Sequence, residues 1–253
     1  MNYKYLFTII FAFCLSRATP LKAQDMSATQ IVEKAHNLMQ GQSNYAEISM
    51  TIHRPKWDRT LSFKSWMKGS DYALIYITSP AQEAGQVFLK RGNEMWNWLP
   101  SINRMIKIPP SMMMQSWMGS DLTNDDLVKE SSIVKDYDHK ILGEESLSGY
   151  HCYKIEMIPH ENAAVVWGKI YTWITKDHFY TLQNDYFDES GKLINKETLS
   201  DIKDVGDRTI PTKFTVVPVE KQDHKTVMTF DKIRFNINIE DSFFSIQNMK
   251  RVR

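Results

Sequence analysis

The spacing of apolar residues changes twice along this chain, and each change marks a different kind of element. Residues 6–15 are apolar almost without interruption and follow a lone Lys4. That run is too short to span a bilayer, which takes roughly 20 residues. With the small and polar residues up to Ala23-Gln24, it reads as a secretory leader over residues 1–24. The next segment has helical spacing. Ile31, Val32, Ala35, Leu38 and Met39 share one face, Ser27 is placed to cap the first turn, and Gly41 to end the last.

From there the period shortens to two. Ala46, Ile48, Met50 and Ile52 alternate with Tyr45, Glu47, Ser49 and Thr51, the pattern of a strand buried on one side. Further strands are expected over residues 59–68, 71–79, 86–90, 94–99 and 104–108, with Lys68-Gly69-Ser70-Asp71 and Arg91-Gly92-Asn93 as hairpin turns. Seven more are expected over residues 131–142, 150–158, 166–175, 181–188, 193–201, 209–218 and 225–236. A short helical turn is expected at Asp241–Phe244. An antiparallel meander of this length can bend into a barrel or half-barrel, and such barrels commonly enclose a ligand cavity. Residues 25–253 are expected to form one domain.

The stretch between the two sets of strands breaks the rhythm. Pro109-Pro110 stops a strand and favours the first turn of a helix. Over Ser111–Met118 the apolar spacing predicts two helical turns, with Met113, Met114, Trp117 and Met118 on one face and Met112 to the side. Thr123 and Asp126 have the spacing of a capping box for a second helix. Asp125 and Asp126 also suit the dipole at a helix start, so the acidic cluster has a role without a metal. A calcium loop is the alternative, but Asp121, Asn124, Asp125 and Asp126 lack its alternating spacing and distal Glu. Methionine is soft and adaptable and suits a surface that accepts varied apolar partners. Trp96, Trp98, Met113, Met114, Trp117, Met118 and Leu122 are therefore the candidate cavity and lid residues, set against the reading that they simply fill a core. Arg91 and Arg104 are the candidates to meet a polar head group at the cavity mouth, set against ordinary solvated charge. Trp167, Tyr171 and Trp173 share one strand face if no bulge intervenes.

Charge and chemistry narrow the function. The leader holds Lys4, Arg17 and Lys22, so 31 basic residues minus these three leaves 28 against 30 acidic ones, a net charge of −2. That is no footprint for nucleic acid. Cys152 is then the one cysteine left, read as a buried thiol within a strand. The seven histidines are scattered without zinc-site spacing, and neither a Gly-x-Ser-x-Gly elbow nor a glycine-rich phosphate loop occurs. No catalytic residue, metal or cofactor is assigned.

Trp96-Asn97-Trp98-Leu99-Pro100-Ser101-Ile102-Asn103-Arg104, then Ile106-Lys107-Ile108-Pro109-Pro110, then Met112 to Asp121, resembles the outer membrane lipoprotein-sorting protein family. That family is similar to the LolA-type periplasmic lipoprotein carriers. The resemblance implies a mainly β fold: an unclosed antiparallel β-barrel with an N-terminal helix and a short helical lid over a hydrophobic cavity. It implies a monomeric periplasmic carrier that binds acyl-chain lipid or lipoprotein cargo rather than an enzyme. It also implies an inner-membrane partner of the resistance–nodulation–division transporter type. The alternative within the same fold is a lipid-responsive periplasmic sensor or transporter adaptor.

Overall fold

A computed structural model of the chain describes residues 26–129, 133–163 and 165–253. The expected leader, residues 1–24, lies outside the described residues, as do Ser131 and Ser132; residues 133–136 are not strand, and the strand expected over 131–142 runs Tyr137–Leu147 instead. The N-terminal helix runs Ala28–Gln40 (α1). Ser27 Oγ accepts from the Gln30 amide at 3.2 Å, and Gln30 Oε1 accepts from the Ser27 amide at 2.9 Å. This reciprocal box satisfies two amides that have no partner within the helix. Ile31, Val32 and Ala35 are buried, as their spacing predicts. Gly41 ends the helix at φ 61°, donating its amide to the Asn37 carbonyl at 3.0 Å.

Six strands follow: β1 (Ser43–Arg54), β2 (Trp57–Lys68), β3 (Tyr72–Ser79), β4 (Val87–Arg91), β5 (Glu94–Leu99) and β6 (Arg104–Ile108). Seven more come after the interruption: β7 (Tyr137–Leu147), β8 (Tyr150–Pro159), β9 (Lys169–Thr175), β10 (Thr181–Phe187), β11 (Leu193–Asp204), β12 (Thr209–Pro218) and β13 (Lys225–Phe235). All pair antiparallel in one sheet, in the order β6-β5-β4-β3-β2-β1-β13-β12-β11-β10-β9-β8-β7. Two meanders are thus joined by the β1–β13 pair, with Asn44 opposite Phe235 and His53 opposite Lys225. A register shift at Glu47/Ile48 in that pair, and others at Ser62/Phe63 and Ile141/Gly143, bend the sheet into an unclosed half-barrel. Its free edges are β6 and β7.

Residues 109–136 connect these two edges, so the chain must cross the open side of the half-barrel. The crossing departs from the expected two-turn helix. A 3-10 turn at Pro110–Met112 is followed by irregular chain that doubles back, with Met118 at φ 52° and Gly119 at φ 79°. The Trp117 amide donates to the Leu122 carbonyl at 2.8 Å. Two serines account for the difference: Ser116 Oγ donates to the Ser120 carbonyl at 2.5 Å and Ser120 Oγ to the Trp117 carbonyl at 2.7 Å. Such side-chain bonds offer the backbone an alternative to the helical ladder. The four apolar residues therefore do not share a face. Met113 and Trp117 are buried, Met118 is half-buried, and Met114 is 60% exposed.

The second expected helix does form, as the short α2 (Asn124–Lys129). Its capping box is complete: Thr123 Oγ1 accepts from the Asp126 amide at 3.1 Å, and Asp126 Oδ2 accepts from the Thr123 amide at 2.7 Å. The chain closes on the outer face of the first meander. A 3-10 turn at Asp241–Phe243 falls where a helical turn was expected, and α3 (Ile246–Met249) follows.

Candidate functional site

Both faces of the first meander are covered. On the concave face, Ile48 and Met50 of β1, Phe63 of β2 and Phe88 of β4 pack against Met113, Trp117 and Leu122 of the crossing. On the other, Leu74, Val87, Leu89 and Trp98 pack against Ile239, Phe244, Met249 and Val252 of the C-terminal segment. Strand alternation separates the two sets. Met95 joins the concave core, while Trp96 and Trp98 belong with the C-terminal segment.

The crossing is pinned at its middle. Arg54 Nη1 lies 3.0 Å from Asp121 Oδ2, and both side chains are nearly buried. Thr226 of β13 donates its hydroxyl to the same carboxylate at 2.7 Å and accepts the Asp121 amide at 2.9 Å. Arg54 also donates to the Gly119 carbonyl at 2.8 Å, and Arg59 donates to the Met118 carbonyl.

Beyond that pin, a partly open cavity of about 150 Å³ lies among the concave sheet, the end of α1, the second half of the crossing, and Val165 and Trp167. Its walls are mostly apolar, with Ala46, Ile48, Phe63, Val216 and Ile233 on the sheet side and Trp167 and Ile170 opposite. Trp167 precedes β9 and shares the cavity with Ile170, so the odd-numbered aromatic face does not extend back to it; Tyr171 and Trp173 do not line the cavity. Gly168 lies between, packed so closely that a Cβ there would come within 2.6 Å of the Asp188 carbonyl oxygen.

The polar part of the wall carries carboxyls. Asp126 Oδ1 accepts from the Trp167 indole at 3.0 Å. Glu197 of β11 accepts from Asn184 Nδ2 at 2.8 Å and from the Tyr186 hydroxyl at 2.9 Å, both on Oε2. Burial pushes both carboxyls above the ordinary carboxylate range; their hydrogen-bond donors offset part of this, and the neighbouring Asp126 raises Glu197 further. Both residues line the cavity. The Tyr137 hydroxyl is pushed up by burial and by Asp125, Asp126 and Asp136. Asp121 and Asp126, considered for a calcium loop, are engaged by Arg54 and Thr226 and by Thr123 and Trp167.

These shifts set a sign for stability. Native Glu197 holds its proton into a pH range where the unfolded chain has lost it. Its contribution is full below the unfolded value and is lost as pH rises through the raised folded one. Glu197→Gln keeps an acceptor for Asn184 and Tyr186 and removes the charge. Its melting temperature relative to the parent will therefore rise between pH 4 and pH 8, read by circular dichroism. A constant difference would mean that Glu197 stays ionised at ordinary cost.

Of the sequence candidates, Leu122 lines this cavity; Met113, Trp117 and Met118 fill the core beside it, and Met114 faces solvent. Trp96 and Trp98 lie on the opposite face. Arg91 and Arg104 are exposed on β4 and β6 and are not part of the cavity wall. Sequence reasoning did not single out Glu197 as part of the wall. Its signal was the polar pair Asn195 and Glu197 on a strand face that also carries Leu193 and Leu199.

An unclosed antiparallel half-barrel, with its open side crossed by one connection and an apolar cavity beneath, is a LolA-like fold. A family model described as an uncharacterized protein family matches residues 69–251, well over half of the chain, and the chain belongs to that family. A DUF1329-family protein of Desulfovibrio piger is 25% identical, with 88% of this chain and 97% of that one aligned at a TM-score of 0.81. A LolA-superfamily protein of Nitrosomonas europaea is 20% identical over 88% and 99% of the two chains, with a TM-score of 0.77. A domain of Vibrio parahaemolyticus described as outer membrane lipoprotein-sorting is also 20% identical, over 88% and 98%, with a TM-score of 0.78. At 20% identity the last two are likenesses of fold. No curated protein matches the sequence.

Proposed function

We propose that this protein is a periplasmic carrier that takes acyl chains of lipoproteins or other lipids into its cavity and moves them between the inner and outer membranes. The observation that carries the reading is the partly open, mostly apolar cavity between the concave sheet and the crossing. Each methylene moved from water into such a site contributes about 0.8 kcal/mol, so affinity needs no chemistry. At about 150 Å³ the cavity matches a benzene-sized guest. Ligand sites for larger molecules run to roughly 300–1,000 Å³. An acyl chain therefore enters by widening it, while the crossing stays held at Asp121 by Arg54 and Thr226. A donor in the inner membrane of the resistance–nodulation–division type fits this role.

The test is uptake of the neutral fluorophore N-phenyl-1-naphthylamine by purified protein, with displacement by acyl lipids. Ala46 lines the cavity and is 2% exposed. Ala46→Phe will fill the space, at a cost of about 1–3 kcal/mol in stability, and will abolish uptake while the strands remain. A parent protein that takes up no apolar probe, or an Ala46→Phe variant that takes up as much as the parent, would overturn the reading.

A further inference from the structure

The polar part of the cavity wall is one-sided. Asp125, Asp126 and Glu197 lie in its wall, and among the described lining residues there is no Lys, Arg or His. Ser65 of β2 lines the same cavity at 1% exposure, and its hydroxyl has no hydrogen-bond partner. A buried hydroxyl without a partner is costly and uncommon in folded proteins. The oxygen-rich polar wall thus offers acceptors and one unengaged hydroxyl, and no cation to meet an anionic head group.

Resting on the carrier reading above, we propose that the cavity selects amphiphiles whose polar end donates hydrogen bonds, a hydroxyl or an ammonium, and discriminates against anionic ends of the same chain length. A carboxylate or phosphate placed there would meet carboxyl groups and no cation to neutralise it in a water-poor site. An ammonium would gain charge-assisted hydrogen bonds to the acids. A hydroxyl can donate to the same acceptors and also pair with Ser65.

Displacement of bound N-phenyl-1-naphthylamine at pH 7.5 by three twelve-carbon probes tests this. Dodecylamine and 1-monolaurin will displace it at about tenfold lower concentration than laurate, a difference of about 1.4 kcal/mol. Glu197→Gln will shrink the advantage of dodecylamine over laurate, and Ser65→Ala will weaken monolaurin while sparing dodecylamine. Displacement by laurate at equal or lower concentration than both other probes overturns the selectivity and leaves the carrier standing. So does a dodecylamine-to-laurate ratio unchanged in Glu197→Gln, together with monolaurin displacement unchanged in Ser65→Ala. Failure of every probe, with no fluorophore uptake by the parent, removes the carrier reading and this inference with it.

Discussion

Trp117→Ala will destabilise the protein by about 3–5 kcal/mol, the range for deleting a fully buried large aromatic. Trp117 is 1% exposed and stands edge-on to Phe63 and Phe88, each with ring centroids 5.5 Å away. Both are strand residues of the concave face, so the indole bonds the crossing to the sheet it covers. No collapse of the surroundings can refill the space, because the sheet is held by its own ladder and the crossing by Arg54 and Asp121. The indole N–H has no partner. Trp117→Phe therefore removes an unsatisfied buried donor along with some volume, and its cost will be well under that of alanine. Urea unfolding followed by circular dichroism measures both. An alanine variant within about 1 kcal/mol of the parent would mean that the crossing is not anchored through this side chain.

Asp121→Ala will cost a comparable amount, about 3–5 kcal/mol, because it strands the Arg54 guanidinium in a nearly buried site. The side chains are 11% and 3% exposed for Arg54 and Asp121. Thr226 loses its carboxylate acceptor in the same step. Such a pair is little screened, so the loss will be nearly the same in dilute and in molar salt. Exposed pairs such as Lys192–Glu220 will show the opposite: a small effect that salt removes. The amides of Trp117 and Ser120, whose bonds close the reversal of the crossing, will exchange faster in the variant. Unchanged exchange there would separate the ion pair from the order of the crossing.

The strands were legible because period two is a local property. In β1, Ala46, Ile48, Met50 and Ile52 announce their face without reference to any partner, and the hairpins at Gly69 and Gly92 follow from turn chemistry, with φ values of 53° and 55°. The Thr123–Asp126 capping box was legible for the same reason. What could not be read was everything fixed across distance. The β1–β13 pair joins residues far apart in the chain, Asn44 with Phe235 and His53 with Lys225, and no local pattern carries that register. Alternation placed Trp96 and Trp98 on one face, but this meander is covered on both sides, so parity could not say which face held the cavity. At Ser111–Met118 the apolar spacing of a helix was present. The serine-to-carbonyl bonds that displaced it depend on Ser116 and Ser120 meeting across a reversal.

The pin at Asp121 has a mechanical meaning. Arg54 belongs to β1 and Thr226 to β13, the two strands at which the meanders meet. The strap between the free edges is therefore fastened to the spine of an open book and divided into two arms. The first arm is glued to its page by Trp117. The second holds Leu122 and Asp126 over the hollow. The two halves of one continuous sheet are thus built differently: the first is packed on both faces, by the crossing and by the C-terminal segment, and the second is closed by α1.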